Sequence, residues 1–286
     1  MNSEVKKSNF KQTFLNWKLG YKLSFIFGLA LILIDICILI NYFNYALADF
    51  IDKSNDSMYA SQINYEISKG EWVYPSALGL MWRKTLTFTE ISNFILAITL
   101  IVFPFKKDNQ KQQAWFFSTI VFITITFLVY WTLVLPSSIK KGVWNRLDLA
   151  IPSFFMHAIN PILGFIVLIF LRKNITLKHS QILMSSLMIL GYFTFGLITF
   201  FIGEKILVTI NGRDINYDDY VKYDIVIYPF LNFRFPMFYK GDNLAIKIIL
   251  NIVIFILAPG LPIGLAYAWK TSLRIGTFKT SVKQFN

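Results

Sequence analysis

Residues 84–105 read KTLTFTEISNFILAITLIVFPF, and the two halves of the stretch suit different solvents. From Phe94 onward the side chains are almost all apolar, whereas Thr85, Thr87, Thr89, Glu90, Ser92 and Asn93 crowd the first half. About 20 mostly apolar residues are needed for a helix to cross the hydrocarbon core, so the stretch is long enough to span while carrying polar groups into its mouth. Five further runs of that kind follow the same rule, at 23–43, 114–135, 150–171, 182–202 and 245–269, with this one taken as 85–105. A chain that is 55% hydrophobic, 17% aromatic and only 15% charged, with mean hydropathy +0.53, lies outside the soluble range. An open sheet cannot satisfy its backbone in lipid, and the runs lack the alternation of barrel strands. The expectation is an all-α, six-helix integral membrane bundle forming a single domain over 1–286.

The positive-inside rule counts Lys and Arg near the ends of spans. Segments 1–22, 106–113, 172–181 and 270–286 hold 15 of the 28, and the three other loops hold 12 together with 12 of the 16 acids. Two of those three loops are long, and charges in long loops count for less, so both termini are expected to be cytoplasmic and the chain a multi-pass protein of the cell membrane. The net charge of +12 then belongs to the cytoplasmic face and suits anionic headgroups; it gives no reason to invoke nucleic acid. The basic start precedes an apolar run too long for the core of a signal peptide, so that run is expected to stay as the first helix. Cys37 stands alone, which precludes an intramolecular disulfide and a thiolate metal site. No metal or cofactor motif appears, and the Lys, Asn, Ile and Phe bias resembles that of small AT-rich bacterial genomes.

Two loops of roughly 40 residues stand out. Asn44 to Lys84 mixes acids with Tyr59, Tyr65, Trp72 and Tyr74 and reads as irregular with one interfacial helix. Gly203 to Leu244 is denser in aromatics, including Tyr217, Tyr220, Tyr223, Tyr228, Phe233 and Phe235, and reads either as an aromatic belt or as a lid over a cavity.

Ionisable groups at membrane depth are costly and so are functional candidates, with hydrogen bonding between helices as the rival use. At 100° per residue Thr85, Thr89, Ser92 and Asn93 share a face about 100° wide, Thr87 points away and Glu90 borders the stripe. Ser153, His157, Asn160, Pro161 and Gly164 make a second such face. With a rise of 1.5 Å per residue, Thr89, His157 and Asp35 lie roughly 6, 10 and 12 Å from the outer ends of their helices, so the polar faces are expected to meet. A hydroxyl becomes a nucleophile when a base takes its proton, and an imidazole does this best with its other nitrogen held. Asp35 is a candidate to hold it.

These residues resemble a known family. FTEISN at 88–93, HAINP at 157–161 and YPFLN at 228–232 are similar, in order and in place, to signatures of the androgen-induced membrane protein family and its bacterial relatives. The resemblance implies six spans and hydrolysis of fatty acid esters of hydroxy fatty acids by an intramembrane threonine and histidine. Carried over, it implies Thr89 as nucleophile and His157 as base, with Tyr228 as a supporting residue of the third signature; an offset of two would give Thr87. The four-residue step from His157 to Pro161 matches the bacterial branch, and Glu90 directly after the nucleophile departs from the pattern.

The functional expectation is therefore a membrane enzyme acting on lipids or lipid esters, with Thr89 and His157 catalytic, Ser92, Asn93 and Asn160 positioning or donating to an oxyanion, and Asp35 and Glu90 tuning the histidine. Acyl transfer uses the same nucleophile. A transporter, channel or scaffold whose polar stripes line a path or lock helices is the alternative class.

Overall fold

Tyr21, Ser24, Gly28, Leu31, Asp35 and Ile38 recur at alternating steps of three and four, and all six are buried. They form the inner stripe of a long helix, because three- and four-residue steps return to one face of a 3.6-residue turn. The computed structural model describes residues 9–54, 68–69, 79, 85–211, 215–222 and 225–277. It is all-α apart from a two-residue parallel pair of strands, with six helices long and apolar enough to cross a membrane: Leu19–Ala48, Phe88–Lys106, Gln110–Lys140, Leu147–Asn174, His179–Lys205 and Leu244–Ser272. Each of the six sequence runs falls on one of them. The chain divides into two compact units, 1–105 with 136–167, and 106–135 with 168–286.

In the first unit a short helix α1 (Phe10–Leu15), capped by the Asn9 side chain, precedes α2 (Leu19–Ser54). Phe10, Phe14, Trp17, Phe25 and Phe105 pack ring on ring there, with Trp17 and Phe105 centroids 5.0 Å apart. Helix α2 lies against α3 (Phe88–Val102) at close range. A Cβ on Gly28 would stand 2.8 Å from the Ile101 nitrogen and 2.9 Å from the Ala97 carbonyl oxygen, so glycine is what permits the approach. One turn away Ser24 donates to the Leu100 carbonyl at 2.7 Å. The unit is completed by the end of helix α5 (Leu135–Lys140), by α6 (Leu147–Phe154) and by most of α7 (Asn160–Leu171), with a π turn at Phe155–Ile159 joining the last two.

In the second unit α4 (Gln110–Val129), α8 (His179–Asn211) and α10 (Leu244–Ser272) pack together, and the short α9 (Tyr217–Lys222) follows α8. Strands β1 (Thr176–Leu177) and β2 (Gly276–Thr277) pair in parallel, and Gln113 accepts from the Thr176 amide at 3.0 Å. Ile249 and Ile256 on α10 are 58% and 64% exposed, as are many of their apolar neighbours. A face of that kind suits lipid and not water.

The long-loop expectations change at their edges. Helix α2 continues to Ser54, so the first loop begins later than Asn44; its Asp56, Tyr59, Tyr65, Glu66, Glu71, Trp72 and Tyr74 lie outside the described residues. In the second, α8 runs on to Asn211, which puts Glu204 inside a helix instead of after one. Tyr220 and Phe233 are buried with Phe200, Phe193 and Ile254 in a hydrophobic core, so these two serve neither as a belt nor as a loose cover; Tyr223 lies outside the described residues.

Candidate active site

The start of α3 places Thr87 and Thr89 in different settings. Thr87 has extended backbone angles, φ −77° and ψ 149°, and its hydroxyl accepts from the Glu90 amide at 3.5 Å, so it is the N-cap and the helix begins at Phe88 instead of Thr85. Thr-x-x-Glu at a helix start is the pattern of a capping box. Thr89 is the second helical residue, half-buried, and its Oγ1 lies 3.4 Å from His157 Nε2. The helix-face reading that separated Thr87 from Thr89 therefore describes two different jobs.

His157 owes its position to a break in helical regularity. Pro161 has no N–H to give to the carbonyl four residues back, which is that of His157 itself. The chain widens there into the π turn Phe155–Ile159, where the Asn160 amide reaches back five residues to the Phe155 carbonyl. Single π turns of this kind are frequent at functional sites. Nδ1 of His157 is 2.7 Å from the Ser153 carbonyl, which can only accept, so Nδ1 carries the hydrogen. Nε2 is left as the basic nitrogen and faces the Thr89 hydroxyl.

Beneath the pair the polar residues close into a sealed floor. Asn93 Nδ2 donates to the Thr89 carbonyl at 2.8 Å and to the Met156 carbonyl at 3.2 Å, tying α3 to the residue before His157. Ser92 donates to the same Thr89 carbonyl at 3.0 Å. Asn160 Nδ2 donates to Asn93 Oδ1 and to Asp35 Oδ1, both at 2.8 Å. Asp35, Ser92, Asn93 and Asn160 are all buried, the last three at 0% exposure.

The arrangement departs from the sequence reading in one respect and narrows it in another. Asp35 is bonded to Asn160, and the Ser153 carbonyl holds the imidazole in its place. Both N–H bonds of Asn93 and of Asn160 are engaged within the floor, so the two amides position the site and do not aim at an oxyanion. Glu90 is buried in the first turn of α3, where an acid suits the positive end of the helix dipole. Tyr228 belongs to the second unit and stacks on Phe230 with centroids 5.3 Å apart. Sequence reasoning missed Ser153 as the orienting group, although a carbonyl four residues before a helical histidine is always within local reach.

An open, largely apolar groove of about 310 Å³ lies between α2 and α6, lined by residues including Cys37, Ile38, Ile151 and Pro152; Thr89 and His157 are not among them. Among the described residues no three His, Cys, Asp or Glu side chains gather as a metal site. Compared with protein-family models, with curated proteins and with solved structures, the chain finds no match.

Proposed function

We propose that the chain is an intramembrane lipid-ester hydrolase of the cell membrane, with both termini cytoplasmic, Thr89 as nucleophile and His157 as general base. The observation that carries the reading is the line Ser153 carbonyl to Nδ1–H, then Nε2 to the Thr89 hydroxyl, which fixes the tautomer a general base needs. The 3.4 Å contact is longer than a tight hydrogen bond, as catalytic contacts often are before substrate closes them. The similarity of FTEISN, HAINP and YPFLN to the androgen-induced membrane protein signatures points the same way.

In the proposed reaction Thr89 Oγ1 attacks the ester carbonyl as its proton passes to His157 Nε2. The carbon–oxygen bond to the alcohol breaks, the alcohol leaves with the proton from Nε2, and an acyl-threonine remains. Water, deprotonated by Nε2, then hydrolyses that ester, frees the fatty acid and restores the hydroxyl. Thr89 sits in the first turn of α3, where backbone dipoles favour the negative charge that develops on the carbonyl oxygen.

Purified protein in detergent is assayed against long-chain fatty acid esters, with Thr89→Ala and His157→Ala made separately, and treated with an alkyl phosphonate probe. Hydrolysis and labelling by wild type, both lost in Thr89→Ala, are the expected result. Full turnover in both folded variants sinks the assignment, and adding a lipid alcohol as acceptor separates hydrolysis from acyl transfer.

A further inference from the structure

Counting hydrogen bonds in the sealed floor leaves a specific remainder. Asn160 spends both Nδ2 hydrogens, on Asp35 Oδ1 and Asn93 Oδ1, and Asn93 spends both of its own on backbone carbonyls. Two buried acceptors are then left without a hydrogen-bond partner, Asp35 Oδ2 and Asn160 Oδ1. They sit on two side chains that already share one bond. An ionised carboxylate here would bury an unpaired charged oxygen at 1% exposure, and among the described residues Asp35 has no ion-pair partner. Among the described residues the other titratable groups on the elements packed around it are Glu90 on α3, His157 on the π turn and Asp148 on α6, none of which is a fixed cation. The floor lacks one hydrogen, and a hydrogen on Asp35 would turn one orphaned acceptor into the donor that the other needs.

We propose that Asp35 is a neutral carboxylic acid whose Oδ2–H donates to Asn160 Oδ1 while Asn160 Nδ2–H donates to Asp35 Oδ1, closing a cyclic acid–amide pair. The pair leaves the second Asn160 hydrogen in a single direction, toward Asn93 Oδ1. That in turn points the two Asn93 hydrogens at the Thr89 and Met156 carbonyls, which fixes how α3 meets the π turn. Asp35 touches neither reacting atom and is a positioning residue. Its link to turnover rests on the hydrolase reading; the acid–amide pair itself does not.

The decisive variant is Asp35→Asn in the full-length protein, because asparagine offers Asn160 the same carbonyl and one N–H in place of the acid O–H. Asp35→Leu offers neither. Asp35→Asn is expected to unfold within about 2 °C of wild type and to keep ester turnover within about twofold, while Asp35→Leu loses both stability and turnover. The infrared spectrum of wild type at neutral pH is expected to show a protonated-carboxyl carbonyl band that Asp35→Asn lacks. A loss of about 10²-fold or more in a folded Asp35→Asn, an Asp35→Asn as unstable as Asp35→Leu, or the absence of that band overturns the proposal, since each is what a working carboxylate gives. Should wild type hydrolyse no ester at all, the hydrolase reading fails while unfolding and infrared still decide the pair.

Discussion

An acid drawn away from water is accommodated in opposite ways in the two units, buried in the first and partly buried in the second. Glu204, on α8 of the second unit, accepts from the Tyr220 hydroxyl at 2.7 Å and from both forks of Arg234, at 2.7 and 3.0 Å, so each of its oxygens meets a donor. The rings around it are packed to match, with Tyr220 stacked on Phe200 at 5.5 Å and 6° and Phe233 edge-on to Phe200. A charge-assisted, bidentate arrangement of that kind holds a loop in place. Asp35 of the first unit has an amide for company and, among the described residues, no cation, beneath a hydroxyl–imidazole contact that is longer than the bonds supporting it. Tight bonds define the scaffold in both units. In the first unit a looser contact lies on top of them, between a half-buried hydroxyl and an imidazole able to exchange a proton; the comparable pair of the second unit, His179 Nδ1 with the Tyr267 hydroxyl at 3.2 Å, involves an exposed histidine.

The contrast breaks most visibly at the reactive pair. Thr89→Ala and His157→Ala are each expected to lower ester turnover by about 10² to 10⁴-fold with little change in unfolding temperature, since both residues are half-buried and lie above the floor. Arg234→Ala is expected to leave turnover alone. A smaller effect, on stability first, comes from the floor itself: Asn93→Leu removes the donor to Met156 and the acceptor for Asn160 in a fully buried place. At about 1 to 3 kcal/mol for each orphaned group, chemical unfolding is expected to report a loss of roughly 3 kcal/mol, with turnover falling as α3 shifts against the π turn.

The sequence made part of this legible. Composition and run length are averages over 20 residues, which is why six spans could be read off and why their ends were the least secure, moving by a few residues once Thr87 proved to be a cap. The meeting of Thr89, Asn93, His157 and Asn160 was readable from helical faces because α3 is regular through Asn93. The part played by Asp35 was not. Its depth placed it near His157, but which polar neighbour it would bond depends on the π turn, and a uniform 100° wheel contains no π turn. The second unit shows the same limit: an aromatic-rich loop has one composition whether its rings face lipid, cover a cavity or, as Tyr220 and Phe233 do, fill a core.

Smaller still is the expected effect of Thr87→Ala, which removes a cap worth about 1 kcal/mol and leaves turnover intact. Loss of activity there, with Thr89→Ala still active, reverses the assignment of the nucleophile and with it the division between cap and reactive group.

The mildest test belongs to the second unit. Arg234 is more than half exposed, so its pairing with Glu204 is screened by solvent, and Arg234→Ala is expected to cost less than about 1 kcal/mol. The Tyr220 phenol is pushed above its usual value of 10.0, chiefly by burial and then by its bond to Glu204. The folded protein therefore keeps that proton more tightly than the unfolded chain does. Stability linked to Tyr220 is fully present below about pH 10 and is lost as pH rises toward the higher folded value, because the unfolded chain ionises first. Unfolding temperature followed from pH 8 to 10.5 is expected to fall more steeply in wild type than in Tyr220→Phe, by an amount equivalent to somewhat under about 1 kcal/mol at the top of the range, which is what ionising one phenol in the unfolded chain alone supplies there. Equal slopes would mean that the phenol ionises as readily in the folded protein as in the unfolded chain, and the tight side of the comparison would then rest on the Arg234–Glu204 pair and the ring packing of Phe200 and Phe233.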